Sequence, residues 1–128
     1  MRDGSAVCLT LMGTPELEVK QYQENETIVL ILRGTTFSDS TVEWLKRVIS
    51  GYTRLPIKKL ILEFGEVRHL NSLGIAFLLH TRTTLHRMNA DLVLANINDT
   101  VREILRRTGL LQRFTIETVS SCNPDVLI

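Results

Sequence analysis

The residues whose types could do chemistry cluster in one stretch, RHLNSLGIAFLLH, residues 68–80. It opens with His69, then a polar pair, Asn71 and Ser72, followed by Leu73 and a glycine, Gly74. Asn71 suits the N-cap of a helix, because its side-chain oxygen can accept a backbone N–H two or three residues on. Ser72 then falls in the first turn, where a hydroxyl either assists capping or stands available for modification. Gly74 in that turn costs about 1 kcal/mol of helix propensity relative to alanine. Either neighbouring backbone packs closely there or something outside must approach.

Other chemistries find less support. His80 and His86 are six residues apart on the same helix, roughly 240° around the axis at about 100° per residue, so they cannot share a metal's ligand sphere. Cys8 and Cys122 lie near opposite ends without CxxC spacing, which fits free thiols in a reducing cytosol better than zinc or redox chemistry. No G-x-S-x-G elbow is present, so nucleophilic catalysis is disfavoured and the chain reads as a non-enzyme. The loop GTTFSDS, residues 34–40, lacks the GKS/GKT end and the G-x-G-x-x-G pattern of phosphate-cradling loops, and helix capping accounts for it. Arg102, Arg106, Arg107 and Arg113 lack aromatic interleaving and read as a solvated helix face, not a nucleic-acid groove.

The elements that position these residues follow from patterning. At 128 residues, with 44% hydrophobic and 23% charged residues and a formal charge of +1, the chain reads as one globular domain without a global field for nucleic acid or anionic membrane. Its longest apolar runs, IVLIL and IAFLL, are far short of a membrane span. ELEVKQYQ and IVLILR predict a hairpin. TVEWLKRVISGY predicts a helix with Thr41, Leu45, Val48 and Tyr52 on one stripe, and Ser40 and Glu43 stand at capping-box spacing. KKLILEF predicts a buried strand, and a second helix follows from Asn71 to about Met88. LVLAN is a short strand, NDTVREILRRTGLL a third helix behind an Asn98 or Asp99 cap, and RFTIETV a last strand. The resulting order, β β α β α β α β, implies an α/β domain: a mixed, mainly parallel sheet of four to five strands with three to four helices. Residues 1–15 are expected as a tail or extra edge strand, residues 16–118 as the domain, and residues 119–128 as a tail.

Along the second helix, Ile75, Leu78, Arg82 and Leu85 share a stripe, with Leu79 beside it, whose apolar members can cover the sheet. Leu73 and Phe77 lie i, i+4 on another line and would form an exposed apolar ridge, an interaction signal. A helix rotated about its axis would instead bury Phe77.

The segments LILEFGEVRHLNSLGIA, NADLVLANI and VREILRRTGLLQRF together resemble the body of a STAS domain, the fold of bacterial anti-sigma factor antagonists, over residues 16–118. The family pattern runs hLDFsgV, hDSSGLG, a helix, G-x-x-L-x-L, and V-x-x-h-L-x-x-T-G-L-x-x-h-F. The resemblance implies a cytoplasmic, non-catalytic protein-binding module without a cofactor. The start of its second helix would dock a partner, commonly an anti-sigma kinase that phosphorylates a serine there. A phosphoserine adds a charge of about −1.5 to −2, which can break a dry or acidic contact. Aligned on Gly74, however, the usual acidic residue is Asn71, the first serine is kept as Ser72, and the usual phosphoacceptor is Leu73. The acidic residue of the family's G-x-L-D falls on Phe37, with Asp39 close by.

The expected docking surface therefore comprises Phe37, Ser38, Asp39, His69, Asn71, Ser72, Leu73, Gly74, Ile75 and Phe77, with Ser72 the candidate phosphorylation site. The leading expectation is an anti-sigma factor antagonist-like regulator in a partner-switching pathway, without the usual serine switch. Two others stand beside it: an accessory subunit of a membrane transport or lipid-transport complex, and a small-ligand or nucleotide-binding domain. The Leu73 and Phe77 ridge could equally close a homodimer. Neither nucleic-acid binding nor direct membrane insertion is expected.

Overall fold

The computed structural model describes residues 6–14, 17–34, 37–52, 54 and 56–117. Six strands form one sheet: β1 (Ala6–Thr14), β2 (Leu17–Glu24), β3 (Thr27–Gly34), β4 (Lys59–Val67), β5 (Asp91–Ala95) and β6 (Thr115–Glu117), ordered in space as in sequence. Helices α1 (Asp39–Tyr52), α2 (Ser72–Arg87) and α3 (Asp99–Arg107) join the parallel strands, and a 3-10 turn, Leu111–Arg113, precedes β6. β1, β2 and β3 pair antiparallel, and β3 through β6 pair parallel. This is the mixed α/β sheet expected from the strand and helix pattern. Pairing of Ala6–Thr14 along β2 supplies the extra edge strand and brings the number of strands to six. The tail expected over residues 119–128 lies outside the described residues.

Each parallel connection advances one position across the sheet. Right-handed crossovers that all step in one direction put their helices on one face. The burial agrees. Val19, Ile28, Leu30, Leu32, Leu60, Leu62, Leu92 and Leu94 pack with Leu45, Ile49, Leu78, Leu85, Val101 and Leu105 of the helices in the main core. Strand residues of opposite parity, Tyr22, Val29, Ile31, Ile61, Val93 and Ala95, form a separate buried cluster. The register of β4 slips between its pairings with Ile31 and Arg33, a bulge that lets Phe64 and Val67, three residues apart, both reach the helical side.

Local chemistry sets the helix ends. α1 is capped by Ser38, whose hydroxyl accepts the Thr41 N–H at 3.2 Å. The expected cap at Ser40 is thus two residues too late, and its capping-box partner Glu43 is exposed. Tyr52, in the last turn of α1, donates its hydroxyl to Gln21 Oε1 at 2.5 Å, and burial pushes the phenol above its ordinary range. α3 ends where Gly109 adopts φ +74° and the Leu110 N–H reaches back to the Leu105 carbonyl at 2.9 Å. That six-to-one bond is a Schellman closure, which requires a left-handed residue after the helix and explains the threonine–glycine–leucine of RRTGLLQRF.

Candidate functional site

Three connections meet where the parallel strands end: the loop before α1, the loop from Arg68 to Asn71 before α2, and the loop from Asn96 to Asn98 before α3. The first two are tied together by Asn71. Its Oδ1 accepts the Gly74 N–H at 3.0 Å, making it the N-cap of α2 as its spacing suggests. Its Nδ2 donates to the Phe37 carbonyl at 2.8 Å, which the sequence did not disclose. Asn98 repeats the arrangement one unit later. Its Oδ1 accepts the Val101 N–H at 2.9 Å, and its Nδ2 donates to the Val67 carbonyl at 2.7 Å. Each asparagine is therefore both a helix cap and a clasp to the preceding unit, Asn71 to the loop before α1 and Asn98 to the end of β4.

This explains the amide at a position where the resembling pattern carries a carboxylate. An aspartate could accept the Gly74 N–H but has no N–H to give the Phe37 carbonyl. The hinge between the two loops needs a side chain with one acceptor and one donor.

The packing beneath corrects the expected surface. Phe77 is fully buried and Phe37 is 2% exposed. Phe37 stands between Phe64 and Phe77, with ring centroids 6.4 Å and 6.2 Å away. Neither phenylalanine lines a surface, and no Leu73–Phe77 ridge exists. The helix is rotated so that Gly74, Phe77, Leu78, Thr81 and Leu85 face the core, while Arg82, expected on the inward stripe, is exposed. Gly74 explains the rotation. A β-carbon there would lie 2.5 Å from Leu70 Cδ1 and 2.9 Å from Phe37 Cδ1. The glycine thus serves close internal approach and is itself buried.

Gly74→Ala is expected to destabilise the protein by about 1 kcal/mol net. Overpacking costs typically 1–3 kcal/mol, against about 1 kcal/mol of helix propensity gained. Urea unfolding should show a lower midpoint with unchanged slope. A higher midpoint would mean that the aromatic stack yields freely.

The outward residues at this end are His69, Ser72, Asp39 and Ser40, exposed, with Ser38, Asn71, Leu73 and Ile75 half-buried. Ser72 makes no side-chain hydrogen bond among the described residues, so capping rests on Asn71 and the Ser72 hydroxyl points free. Leu73 and Ile75 pack partly on the core and offer their remaining surface beside it. Among the described residues no group of three His, Cys, Asp or Glu side chains is placed to hold a metal ion, and no helix is long and apolar enough to cross a membrane. The side chains of Cys8 and Cys122 lie outside the described residues. On α3, Glu103 binds both Arg106 and Arg107, and these bonds hold its carboxyl below the ordinary range. Two of the four arginines thereby share one carboxylate within their own helix, as an i, i+3 and i, i+4 surface network.

Comparison with known proteins agrees with this architecture. The family model of the STAS domain matches residues 16–122. Among solved structures, the chain is similar to an anti-sigma factor antagonist from Mycobacterium paratuberculosis, at 18% identity and TM-score 0.69, over 91% of this chain and 96% of that one. It is similar also to the anti-sigma factor antagonist SpoIIAA in its unphosphorylated form, at 20% identity and TM-score 0.66, over 94% and 96% of the two chains. The phosphorylated form of SpoIIAA, a Bacillus cell fate determinant, gives 20% identity and TM-score 0.63 over 95% and 100%. At these identities the likeness is one of fold. No curated protein matches the sequence significantly.

Proposed function

The chain belongs to the STAS domain family, and from that premise we propose that it is a non-catalytic, cytoplasmic protein-binding module acting as an anti-sigma factor antagonist-like regulator in a partner-switching pathway. Its partner is an anti-sigma kinase-like protein or a related regulator. The observation that carries this reading is Leu73, half-exposed in the first turn of α2 at the place where the family resemblance puts the phosphoacceptor serine. An apolar side chain there keeps the docking surface while removing the hydroxyl that would release the partner. Binding is therefore constitutive, or is regulated through Ser72, whose free hydroxyl neighbours it. The contact surface consists of His69, Ser72, Leu73 and Ile75 with Ser38 and Asp39. Phe37, Gly74 and Phe77 shape it from below, and Asn71 fixes its two halves.

Leu73→Glu tests this. A buried apolar contact replaced by a carboxylate is expected to weaken partner binding at least tenfold, about 1.4 kcal/mol. The half-exposed position should leave the fold intact. Pull-down from host lysate with wild type and variant side by side, with Ser72 read for phosphate by mass spectrometry, should capture a kinase-like or sigma-regulating protein with wild type only. Unchanged capture by a folded variant would overturn the assigned surface. Transporter subunits captured instead would favour an accessory-subunit role, and capture of the protein itself alone would favour a homodimer.

A further inference from the structure

At the opposite end of α2 a pocket of about 350 Å³ opens between the helix, the start of β5 and the entry to β6. This is within the roughly 300–1,000 Å³ range of small-molecule sites. α2 has 16 residues and so spans about 24 Å, which keeps the pocket clear of the docking surface at its N-terminus.

The lining divides by chemistry. Arg82 and His86 stand i, i+4 on α2 and so project from one helical face. Arg113 arrives from the 3-10 turn on the other side, with the hydroxyl-bearing Thr83 beside Arg82 on α2. Ala90, Leu92 and Phe114, all nearly buried, provide an apolar wall. Among the described residues neither arginine nor His86 has an ion-pair or side-chain hydrogen-bond partner, in contrast to Arg33, Arg106 and Arg107, which contact glutamates. Asp91 is the single carboxylate of the lining. It opens β5, and the alternation that puts Leu92 among the helices turns the Asp91 side chain toward the opposite face.

Two cations near the end of a helix could simply answer its dipole, but that influence is confined to the last turn. Arg82 lies outside that turn, and Arg113 belongs to another element. Two guanidinium groups from different elements, lining one concavity with the Thr83 hydroxyl and an apolar wall, suit an anion that offers several acceptor oxygens. Planar guanidinium donors match phosphate oxygens in pairs. We infer that this pocket binds a small phosphate monoester: Arg82 and Arg113 hold the phosphate, Thr83 donates to it, and Leu92 and Phe114 contact the apolar body of the ester.

Phenyl phosphate, which has one phosphate and one apolar ring, is the probe. Titrated into the full chain and followed by backbone-amide NMR, it should give saturable shifts at residues 90–92 and 113–115. Phenol at the same concentrations should give none. Arg82→Gln and Arg113→Gln should each weaken phenyl phosphate about tenfold or more, with urea midpoints unchanged because both side chains are exposed and unpartnered. No saturation with wild type, or equal affinity in wild type and both variants, would overturn the assignment.

Discussion

Phe77→Ala is expected to lose about 3–5 kcal/mol of stability, the range for truncating a buried aromatic. Phe77 is fully buried and adjoins Phe37, which in turn stacks on Phe64. Removing its ring opens a cavity beneath the start of α2, against Phe37, whose backbone carbonyl is the Asn71 clasp point. The surroundings cannot collapse cheaply. Phe64 is anchored in central β4, and Gly74 already sits as close to Phe37 and Leu70 as a residue without a side chain allows. With a urea slope of about 2 kcal/mol per molar, the midpoint should fall by roughly 2 M. A surface phenylalanine would behave otherwise, its truncation changing stability by no more than about 0.5 kcal/mol while weakening partner binding. Phe77→Ala and Leu73→Glu thus separate two residues on one helical line, one expected to act on folding and the other on binding.

That pair also shows what the sequence could and could not disclose. The alternation of helices and strands and the buried runs IVLIL and LILEF are local patterns with local causes, so the sheet and its helices were legible, although the third helix, expected through Leu111, ends at Arg107 before the Gly109 turn. The rotation of α2 was not. Its apolar residues, Leu73, Ile75, Phe77, Leu78, Leu79 and Leu85, are spread around too much of the helix for periodicity to choose a face. The choice is made by a tertiary contact, Gly74 against Phe37 and Leu70, and nothing in the spacing of α2 encodes residues 37 and 70. Ser38 displaced Ser40 as the α1 cap for a related reason: several capping residues stand in a row, and the path of the chain from β3 selects among them. The second hydrogen bond of each asparagine was hidden likewise, since an N-cap is a local feature and a clasp 34 residues away is not. The pocket under α2 joins residues from four elements, none of which forms a motif alone.

Asn71→Asp is the substitution in which fold and function meet. It restores the acidic residue type of the family pattern, and by local rules it should be harmless or helpful: aspartate caps as well as asparagine, and a negative charge favours a helix N-terminus. We expect the opposite, a loss of about 2 kcal/mol, because the amide donation to the Phe37 carbonyl at 2.8 Å has no counterpart in a carboxylate. The carbonyl is left unsatisfied in a part-buried site, a cost of about 1–3 kcal/mol, and a carboxylate oxygen in the place of the amide nitrogen repels it further. Asn71→Ala, which loses the cap and the bond to the Phe37 carbonyl, supplies the reference: Asp should be no more stable than Ala despite keeping the cap. The amides of residues 37–39 should shift in the Asp variant, because the loop before α1 is released from α2, while those around Asn98 and its own clasp to Val67 stay in place. Partner capture should fall with it, since Ser38 and Asp39 would no longer be held in register with Ser72 and Leu73. An Asp variant as stable as wild type, with amides 37–39 unmoved, would show that the cap alone holds this corner and that the two loops are joined by packing between Phe37, Phe64 and Phe77.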